Sequence, residues 1–275
     1  MAASAIDEIG PWSEVKLDIV REYAQAYSKI LSSLKKPKLH HVYIDAFAGA
    51  GVHLSRSTKE FVPGSPLNAL KVNPPFPEYH FIDINQARVE SLQQAAQKRA
   101  NVFVHEGDCN QVLVEEVFPQ VQFKHYRRGL CLLDPYGLHL DWKVIYTAGQ
   151  MKSIEIFLNF PIMDMNMNVL KHDPQSVPPE QSERMTRFWG DESWKSAAYS
   201  TAGNLFGYEE KTNNQAVTDA FRKRLLCEAG FKHVSKPLAM RNSRDAVVYY
   251  LFFASPKPVA LEIVKDIFKK HEKRL

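Results

Sequence analysis

Short apolar segments recur along the first part of the chain, and amphipathic segments separate them. Each apolar segment is continuous rather than alternating, and each runs into polar or small residues. The segments are HHVYIDAF (40–47), EYHFIDIN (78–85), ANVFVHEGDC (100–109), GLCLLDPYG (129–137) and IEIFLNFP (154–161). Continuous apolar strands that alternate with helices indicate a parallel sheet that is covered on both faces.

The last third of the chain has a different pattern. A helix is predicted over 212–231, and two β-rich segments, 232–241 and 246–255, flank the polar turn NSRD at 242–245. Two strands joined by a short polar turn predict an antiparallel hairpin. We therefore expect an α/β, Rossmann-like fold with a mostly parallel sheet and a C-terminal antiparallel hairpin.

The pattern divides the chain into four segments. Residues 1–40 form an N-terminal helical segment packed on the core, with Ser13 as the expected N-cap, and 41–161 form the Rossmann-like core. Residues 162–214 interrupt the alternation and are predicted to be a helical insertion that binds a substrate or a partner. Residues 215–275 complete the core with the last helix, the hairpin and a C-terminal helix.

Composition excludes several classes of protein. No apolar run reaches the length of a membrane span, and the N-terminus lacks a secretory pattern, so we expect a cytoplasmic protein without a membrane partner. Three scattered cysteines predict neither a disulfide framework nor a metal site. The net charge of +4 permits nucleic-acid binding without requiring it. The basic runs, each either a solvated surface or a phosphate track, are SLKKPKLHH (33–41), HYRR (125–128), RKR (222–224) and KKHEKR (269–274).

The first strand ends in YIDAFAGAG, which places Asp45, Phe47, Gly49 and Gly51 at a strand-to-helix turn. Glycines let the backbone approach a ligand closely, and ligands of open parallel sheets bind at the carboxyl ends of strands. The alternative is a tight turn that binds nothing. The D-x-F-x-G-x-G string resembles the first motif of S-adenosylmethionine-dependent methyltransferases, and it lacks the third glycine of the dinucleotide fingerprint.

The second and third strands also end in acids. Asp83 is placed to accept both hydroxyls of a ribose, while Asn85 is expected to cap the following helix. Asp108 and Cys109 follow the third strand, where the carboxylate or the backbone N–H could contact adenine. The alternative for both acids is helix capping.

Asp134, Pro135 and Tyr136 follow the fourth strand, next to the position expected for the transferable methyl group. A carboxylate and a proline carbonyl can accept hydrogen bonds from an exocyclic amine, and an aromatic ring can stack on a flipped base. The DPYG string resembles the D-P-P-Y motif of amino-group methyltransferases without its second proline, and it is closer to the D-P-F-G form of some tRNA guanine-N2 methyltransferases. A simple turn with proline at its second position is the alternative.

The chain as a whole resembles the three-Cys-motif partner (TcmP) family of bacterial proteins. The resemblance is carried by PWSEVKLDIVREYAQAY, YIDAFAGAG, LLDPYGL, FLNFP, FWGDESW and YYLFFASPKPVALEIVKDI, which span nearly its whole length. It implies a class I methyltransferase fold with S-adenosylmethionine as cofactor, and a protein partner that carries a three-cysteine motif.

These observations predict an S-adenosylmethionine-dependent methyltransferase that acts on an amino group of RNA or DNA. Asp45, Phe47, Gly49 and Gly51 would hold the methionine end of the cofactor. Two alternatives stay open. One is a non-catalytic methyltransferase-like protein that binds a partner through exposed aromatic residues of FWGDESW and the Trp12 helix; the other is a nuclease or nucleotide hydrolase on the same fold.

Overall fold

The computed structural model describes residues 6–96, 99–200 and 210–275. Its strands are β1 (Asp7–Ile9), β2 (His40–Asp45), β3 (Val52–Ser55), β4 (Phe61–Pro63), β5 (Glu78–Asp83), β6 (Val102–Glu106), β7 (Arg127–Leu133), β8 (Ile154–Phe160), β9 (Tyr199–Ser200), β10 (Glu210–Lys211), β11 (His233–Val234), β12 (Leu238–Arg241) and β13 (Val247–Ser255). Its α-helices are α1 (Pro11–Ser33), α2 (Ser65–Ala69), α3 (Gln86–Ala95), α4 (Cys109–Val112), α5 (Trp142–Met151), α6 (Ile162–Asn168), α7 (Pro179–Trp189), α8 (Trp194–Ala198), α9 (Asn214–Cys227) and α10 (Pro258–Glu272).

The main sheet confirms the predicted fold class. Within the described residues its strands lie in the order β11-β13-β8-β7-β2-β5-β6, and β12 pairs with the outer part of β13. The pairs β8–β7, β7–β2, β2–β5 and β5–β6 are parallel, whereas β13 is antiparallel to β8 and to β12. The chain therefore forms a Rossmann-like sheet. The expected C-terminal antiparallel hairpin, β12–β13, lies beside β8, the fifth parallel strand along the chain.

Two apolar cores cover the faces of this sheet. On one face, α1 and α10 pack over β-strand residues such as Phe157 and Phe253. On the other, Phe221 of α9 packs against Phe160 and Trp189. Full burial of one such side chain contributes about 1.5–3 kcal/mol, so both helical layers are held mainly by apolar contact.

Helix α1 starts three residues earlier than expected. Gly10 is the N-cap and Pro11 the first helical residue, so the prediction of Ser13 as the N-cap is wrong. Proline suits the first helical position because its missing N–H would have no partner there. Ile19 and Tyr23 lie buried on one face of the helix, and Lys16 belongs to that same face.

The predicted insertion contains α6, α7 and α8, followed by a short antiparallel pair, β9 with β10. Residues 201–209 of that segment lie outside the described residues. A three-stranded ribbon in the order β1-β3-β4 was not predicted, because its strands are only three or four residues long. The four-segment division of the chain stays a prediction.

Glu155 is a buried carboxyl group in β8, with 7% of its surface exposed. Tyr23 Oη donates to Oε2 at 2.5 Å and Ser255 Oγ donates to Oε1 at 2.9 Å. Burial is the largest influence on this group and raises its pKa from 4.5 to about 7, although both hydrogen bonds oppose the shift. The folded state therefore binds this proton more tightly than the unfolded state.

Glu155 by itself makes the free energy of unfolding fall as the pH rises from about 4.5 to about 7, whereas the lowered pKa values of His41, His53 and His105 act in the opposite direction. The contribution of Glu155 to this fall is about 3 kcal/mol. Glu155→Gln should remove that part of the slope, which urea unfolding at pH 5 and pH 8 measures. The exposed Glu180→Gln serves as the control and should keep the wild-type slope; an unchanged slope in Glu155→Gln would contradict the prediction.

Candidate functional site

The carboxyl ends of the parallel strands bring three of the predicted acids to one edge of the sheet. Asp45 ends β2 and Asp83 ends β5, and the two strands are neighbours. Asp134 directly follows β7, which pairs with the other side of β2. Because ligands of open parallel sheets bind at this edge, we treat it as the candidate site.

The turn after β2 is held by the carboxylate of Asp83. Gly49 N donates to Asp83 Oδ2 at 2.9 Å, and Asn85 N donates to Oδ1 at 2.9 Å. Gly49 and Gly51 have φ values of +63° and +83°, which favour glycine. The acid predicted to bind a ribose thus also fixes the shape of the glycine turn. Asn85 caps α3 by accepting from Arg88 N, as predicted.

Asp45 is fully buried beneath this turn. Its Oδ1 accepts from Phe47 N at 3.3 Å, and its Oδ2 has no hydrogen-bond partner of normal geometry among the described residues. Burial raises the pKa of Asp45 from 3.8 to about 7; the Ser65 hydroxyl opposes this shift, and the nearby Asp134 carboxylate adds to it. A cationic group would offset the cost of keeping this carboxylate ionised.

Lys16 of α1 reaches the same edge and forms an ion pair with Asp134. The lysine side chain is 8% exposed and the aspartate side chain 24%. Asn159 of β8 completes the arrangement, with Nδ2 donating to Asp134 Oδ1 at 2.9 Å. Desolvation offsets most of the Coulombic gain of such pairs, so this one is weak evidence for a stabilising role. A buried cation beside a cleft carboxylate is more typical of a functional site.

The segment after β7 exposes one aromatic ring at this site. Pro135 is buried, whereas Tyr136 is 89% exposed. Gly137 has φ of +65°, and a Cβ atom there would lie 3.1 Å from Asp164 Oδ2 of α6. Glycine is therefore required both by the backbone conformation and by the close approach of α6. Both the turn interpretation and the site interpretation of this stretch stay predictions.

Asp108, Cys109 and Asn110 form the end of the site beside β6. Asp108 caps α4 by accepting from Asn110 N at 2.9 Å. Cys109 is 5% exposed, and burial raises its pKa to about 12, so its thiol is not a nucleophile at neutral pH. The Asn110 side chain donates to His139 O at 3.0 Å and accepts from Asp141 N at 2.8 Å. It thereby ties this end to the loop that follows Tyr136.

Several functional candidates were missed from sequence. Ile84 is 75% exposed directly after Asp83, where an apolar side chain can cover a flat ring. His53 lies beside the glycine turn, since a Cβ atom on Gly64 would meet its Nε2 at 3.1 Å. Lys16 was also missed, although the helical period offered a signal. Lys16 precedes Ile19 by three residues and Tyr23 by seven, which places it on the apolar face of the helix.

Most of the buried polar atoms without a hydrogen-bond partner of normal geometry lie here. Within the described residues, Asp45 Oδ2, His53 Nδ1, Asn159 Oδ1 and Asp164 Oδ2 belong to this group, and the others, His41 Nδ1 and Arg127 Nε, lie at the opposite edge of the sheet. Such atoms are rare in native proteins unless a ligand, an ion or water pairs with them. Acceptors of this kind, beside a glycine turn and an exposed apolar side chain, fit a cofactor that carries an ammonium group and a flat ring.

No group of three or more His, Cys, Asp or Glu residues suited to a metal ion is found in the described part of the chain. Over the same residues, no helix combines the length and the apolar character needed to cross a membrane.

No protein-family model matches this chain, and no curated protein matches it. The crystal structure of LPL1258 from Legionella pneumophila, described with the family model DUF519, has a TM-score of 0.51 at 12% identity, covering 93% of this chain and 92% of that chain. The O-methyltransferase NcsB1, solved with S-adenosylmethionine, has a TM-score of 0.38 at 11% identity, covering 89% and 60%. TrmN from Thermus thermophilus has a TM-score of 0.32 at 15% identity, covering 57% and 40%. The strand order and the likeness to LPL1258 together give the chain a Rossmann-like α/β fold.

Removing the Asp83 carboxylate should loosen the glycine turn even without a ligand. In Asp83→Ala, the amides of Gly49 and Asn85 lose their acceptor. Leaving a buried donor without a partner costs about 1–3 kcal/mol. We expect their hydrogen exchange to become roughly ten- to a hundredfold faster by NMR or mass spectrometry. Asp108→Ala is the matched control, because it frees only Asn110 N. Unchanged protection of Gly49 would rule out this role for Asp83.

Proposed function

We propose that this chain is an S-adenosylmethionine-dependent methyltransferase whose acceptor is an amino group of nucleic acid. The observation that carries the proposal is the environment of Asp134. This carboxylate lies between Lys16 and Asn159, it follows the strand next to the glycine turn, and the exposed ring of Tyr136 stands two residues further on.

The residues of the edge suit the parts of this cofactor. Asp45, Phe47, Gly49 and Gly51 would hold the methionine end, where Asp45 can accept from the ammonium directly or through one water molecule. Asp83 would accept from the ribose hydroxyls, and its bond to Gly49 would couple ribose binding to the shape of the turn. Ile84 would cover the adenine ring, with Asp108 and the backbone of Cys109 at its edge. When bound, the cofactor supplies an electrophilic methyl group.

Asp134 and the Pro135 carbonyl would orient the acceptor amine by accepting its N–H bonds. This aims the nitrogen lone pair at the methyl carbon, and an in-line, preorganised approach accounts for much of the rate enhancement. Asp134 would accept the proton that the acceptor nitrogen releases when the C–N bond forms and the C–S bond of the cofactor breaks. Lys16 and Asn159, which contact the two oxygens of Asp134, would fix its orientation toward the acceptor.

The proposed nucleic-acid acceptor has its support in Tyr136 and in the DPYG resemblance. An aromatic ring that is 89% exposed beside an amine-orienting carboxylate is suited to stack on a base turned out of its helix. We further propose that the chain belongs to the three-Cys-motif partner family, acts in the cytoplasm and associates with a protein carrying that motif.

The two alternatives have less support. Trp189 and Trp194 are 1% and 3% exposed, so the FWGDESW segment does not supply the aromatic contact surface of the non-catalytic interpretation. Trp12, on its second expected surface, is half-buried. A metal-dependent nuclease needs clustered acids, whereas the acids described above stand at separate strand ends. Asp45, Asp83 and Asp108 accept from backbone amides, and Asp134 is paired with Lys16.

Calorimetry with S-adenosylmethionine and S-adenosylhomocysteine tests the cofactor. We expect heat with both ligands for the wild type and at least tenfold weaker binding for Asp83→Ala, because the variant loses the ribose acceptor and the turn anchor. Glu180→Gln, an exposed change, should bind like the wild type. Absence of heat with either ligand in the wild type would refute the methyltransferase proposal.

Asp134→Asn separates binding from transfer. The amide keeps the size of the carboxylate but accepts no proton, so cofactor binding should persist while methyl transfer to bulk RNA or DNA falls by about a hundredfold or more. Incorporation of radiolabelled methyl groups measures the transfer. Equal incorporation by both proteins would remove Asp134 from the mechanism.

Lys16→Met tests the ion pair. Without the lysine, Asn159 is the remaining side chain that holds Asp134 among the described residues, so methyl transfer should fall about tenfold or more while cofactor binding persists. Lys16→Arg retains the charge and should restore most of the transfer rate. Equal losses of transfer in Lys16→Met and Lys16→Arg would contradict this role of the ion pair.

A further inference from the structure

The basic runs of the sequence differ in whether the fold neutralises them. In 222–224, Arg222 donates to the carbonyls of Val234 and Ser235, and Arg224 pairs with Asp191 and donates to Trp189 O. In 269–274, Lys270 and His271 pair with Glu22, and Arg274 pairs with Asp18. Most charges of these two runs are therefore engaged in holding helices in place.

The other two runs meet at the edge of the sheet opposite the candidate site. His40 N donates to Tyr126 O at 3.0 Å, and His40 stands opposite Arg127 in the parallel β2–β7 pair. The strand register thus joins segments 33–41 and 123–128, which are remote in sequence. Lys35, Lys36, Lys38 and Lys124 are exposed there. Among the described residues none of these lysines has an ion-pair partner.

Acidic charge at this edge is already compensated. Glu78 begins β5 beside β2, and it pairs with Arg127 at 2.5 Å and with His40 at 3.0 Å. The lysines therefore face solvent without a local counter-charge. Four unpaired lysines on one edge create a positive potential that attracts a polyanion.

Two exposed aromatic rings lie among these lysines. Phe123 is 46% exposed, and the Arg128 guanidinium covers its ring at 3.8 Å from the centroid. Tyr126 is 55% exposed and has φ of +57°, a left-handed conformation that is unusual for an aromatic residue. The chain thus keeps an exposed tyrosine at a strained position where asparagine or glycine would be easier. Exposed rings between cations are the feature by which proteins bind unpaired bases.

We propose that this surface, the basic edge formed by Lys35, Lys36, Lys38, Phe123, Lys124 and Tyr126, binds single-stranded nucleic acid. The lysines contact phosphates, and the two rings stack on bases without reading their sequence. A six-residue strand such as β2 separates the basic edge from Asp134 by about 20 Å. The link between the basic edge and methyl transfer rests on the proposed function. In that link, the methyl acceptor is a polymer that spans both edges of the sheet rather than a free nucleoside.

Fluorescence anisotropy with a labelled 30-nucleotide single-stranded RNA, without cofactor, tests the binding. Replacing Lys35, Lys36 and Lys124 together by glutamine should weaken binding at least tenfold and lower the slope of log K against log salt by about 2, since each phosphate contact on a single strand contributes about 0.7. Tyr126→Asn keeps a residue suited to the left-handed conformation and should weaken binding about fivefold or more.

A variant with the same change of net charge serves as the control. Lys223, Lys269 and Lys273 are exposed elsewhere, and their replacement by glutamine should leave binding within about twofold of wild type. Equal losses in both triple variants would overturn the basic edge, as would tighter binding to a duplex of the same length. Binding to phosphatidylserine vesicles without binding to RNA would overturn it in favour of a membrane surface.

The outcome is separable from that of the proposed function. RNA binding that depends on the basic edge, in a protein that gives no heat with S-adenosylmethionine, would retain the edge and refute the methyltransferase. Methyl transfer to RNA with an unchanged KM in the lysine triple variant would support the methyltransferase and refute the basic edge.

Discussion

The hydrogen bonding of β2 to a parallel strand on each side determines where the chemistry of this protein can occur. The register with β5 and β7 is fixed along nearly the whole of β2. Because parallel strands end at the same edge, it aligns Asp45 with the ends of both neighbours. The Asp83 carboxylate then ties the end of β5 to the turn after β2. A shift of one residue in either pair would turn these acids to the other face of the sheet.

The second constraint is the position of α1. The helix lies outside the alternating strand–helix unit, yet its apolar face fixes Lys16 against Asp134. The ion pairs of Glu22 with Lys270 of α10, and of Asp18 with Arg274 just beyond α10, hold the same helix at its outer side. The site is therefore built from both ends of the chain, since α10 follows the hairpin that completes the sheet. Residues 41–161 alone lack Lys16, the cation that pairs with Asp134.

Much of the fold was accessible from the sequence because it repeats one local pattern. Continuous apolar strands, each followed by a helix, leave few arrangements other than a parallel sheet, and the hairpin was marked by NSRD. Asn85 was correctly assigned as a cap because capping is a local interaction. The ribbon β1-β3-β4 escaped notice because its strands are too short to show a period. Lys16 and Asn110 were missed because their partners lie 118 and 29–31 residues away, and no local rule predicts such contacts.

The contact between Gly137 and Asp164 has a consequence for how acceptor preference could change. Asp164 of α6 lies so close to Gly137 that a Cβ atom there would come within 3.1 Å of its carboxylate. The first helix of the inserted segment thus borders the loop that would orient the acceptor. A displacement of α6 in an exchanged insertion would therefore change the space beside Tyr136. A graft of the insertion that preserves activity must therefore carry Gly137 and Asp164 together.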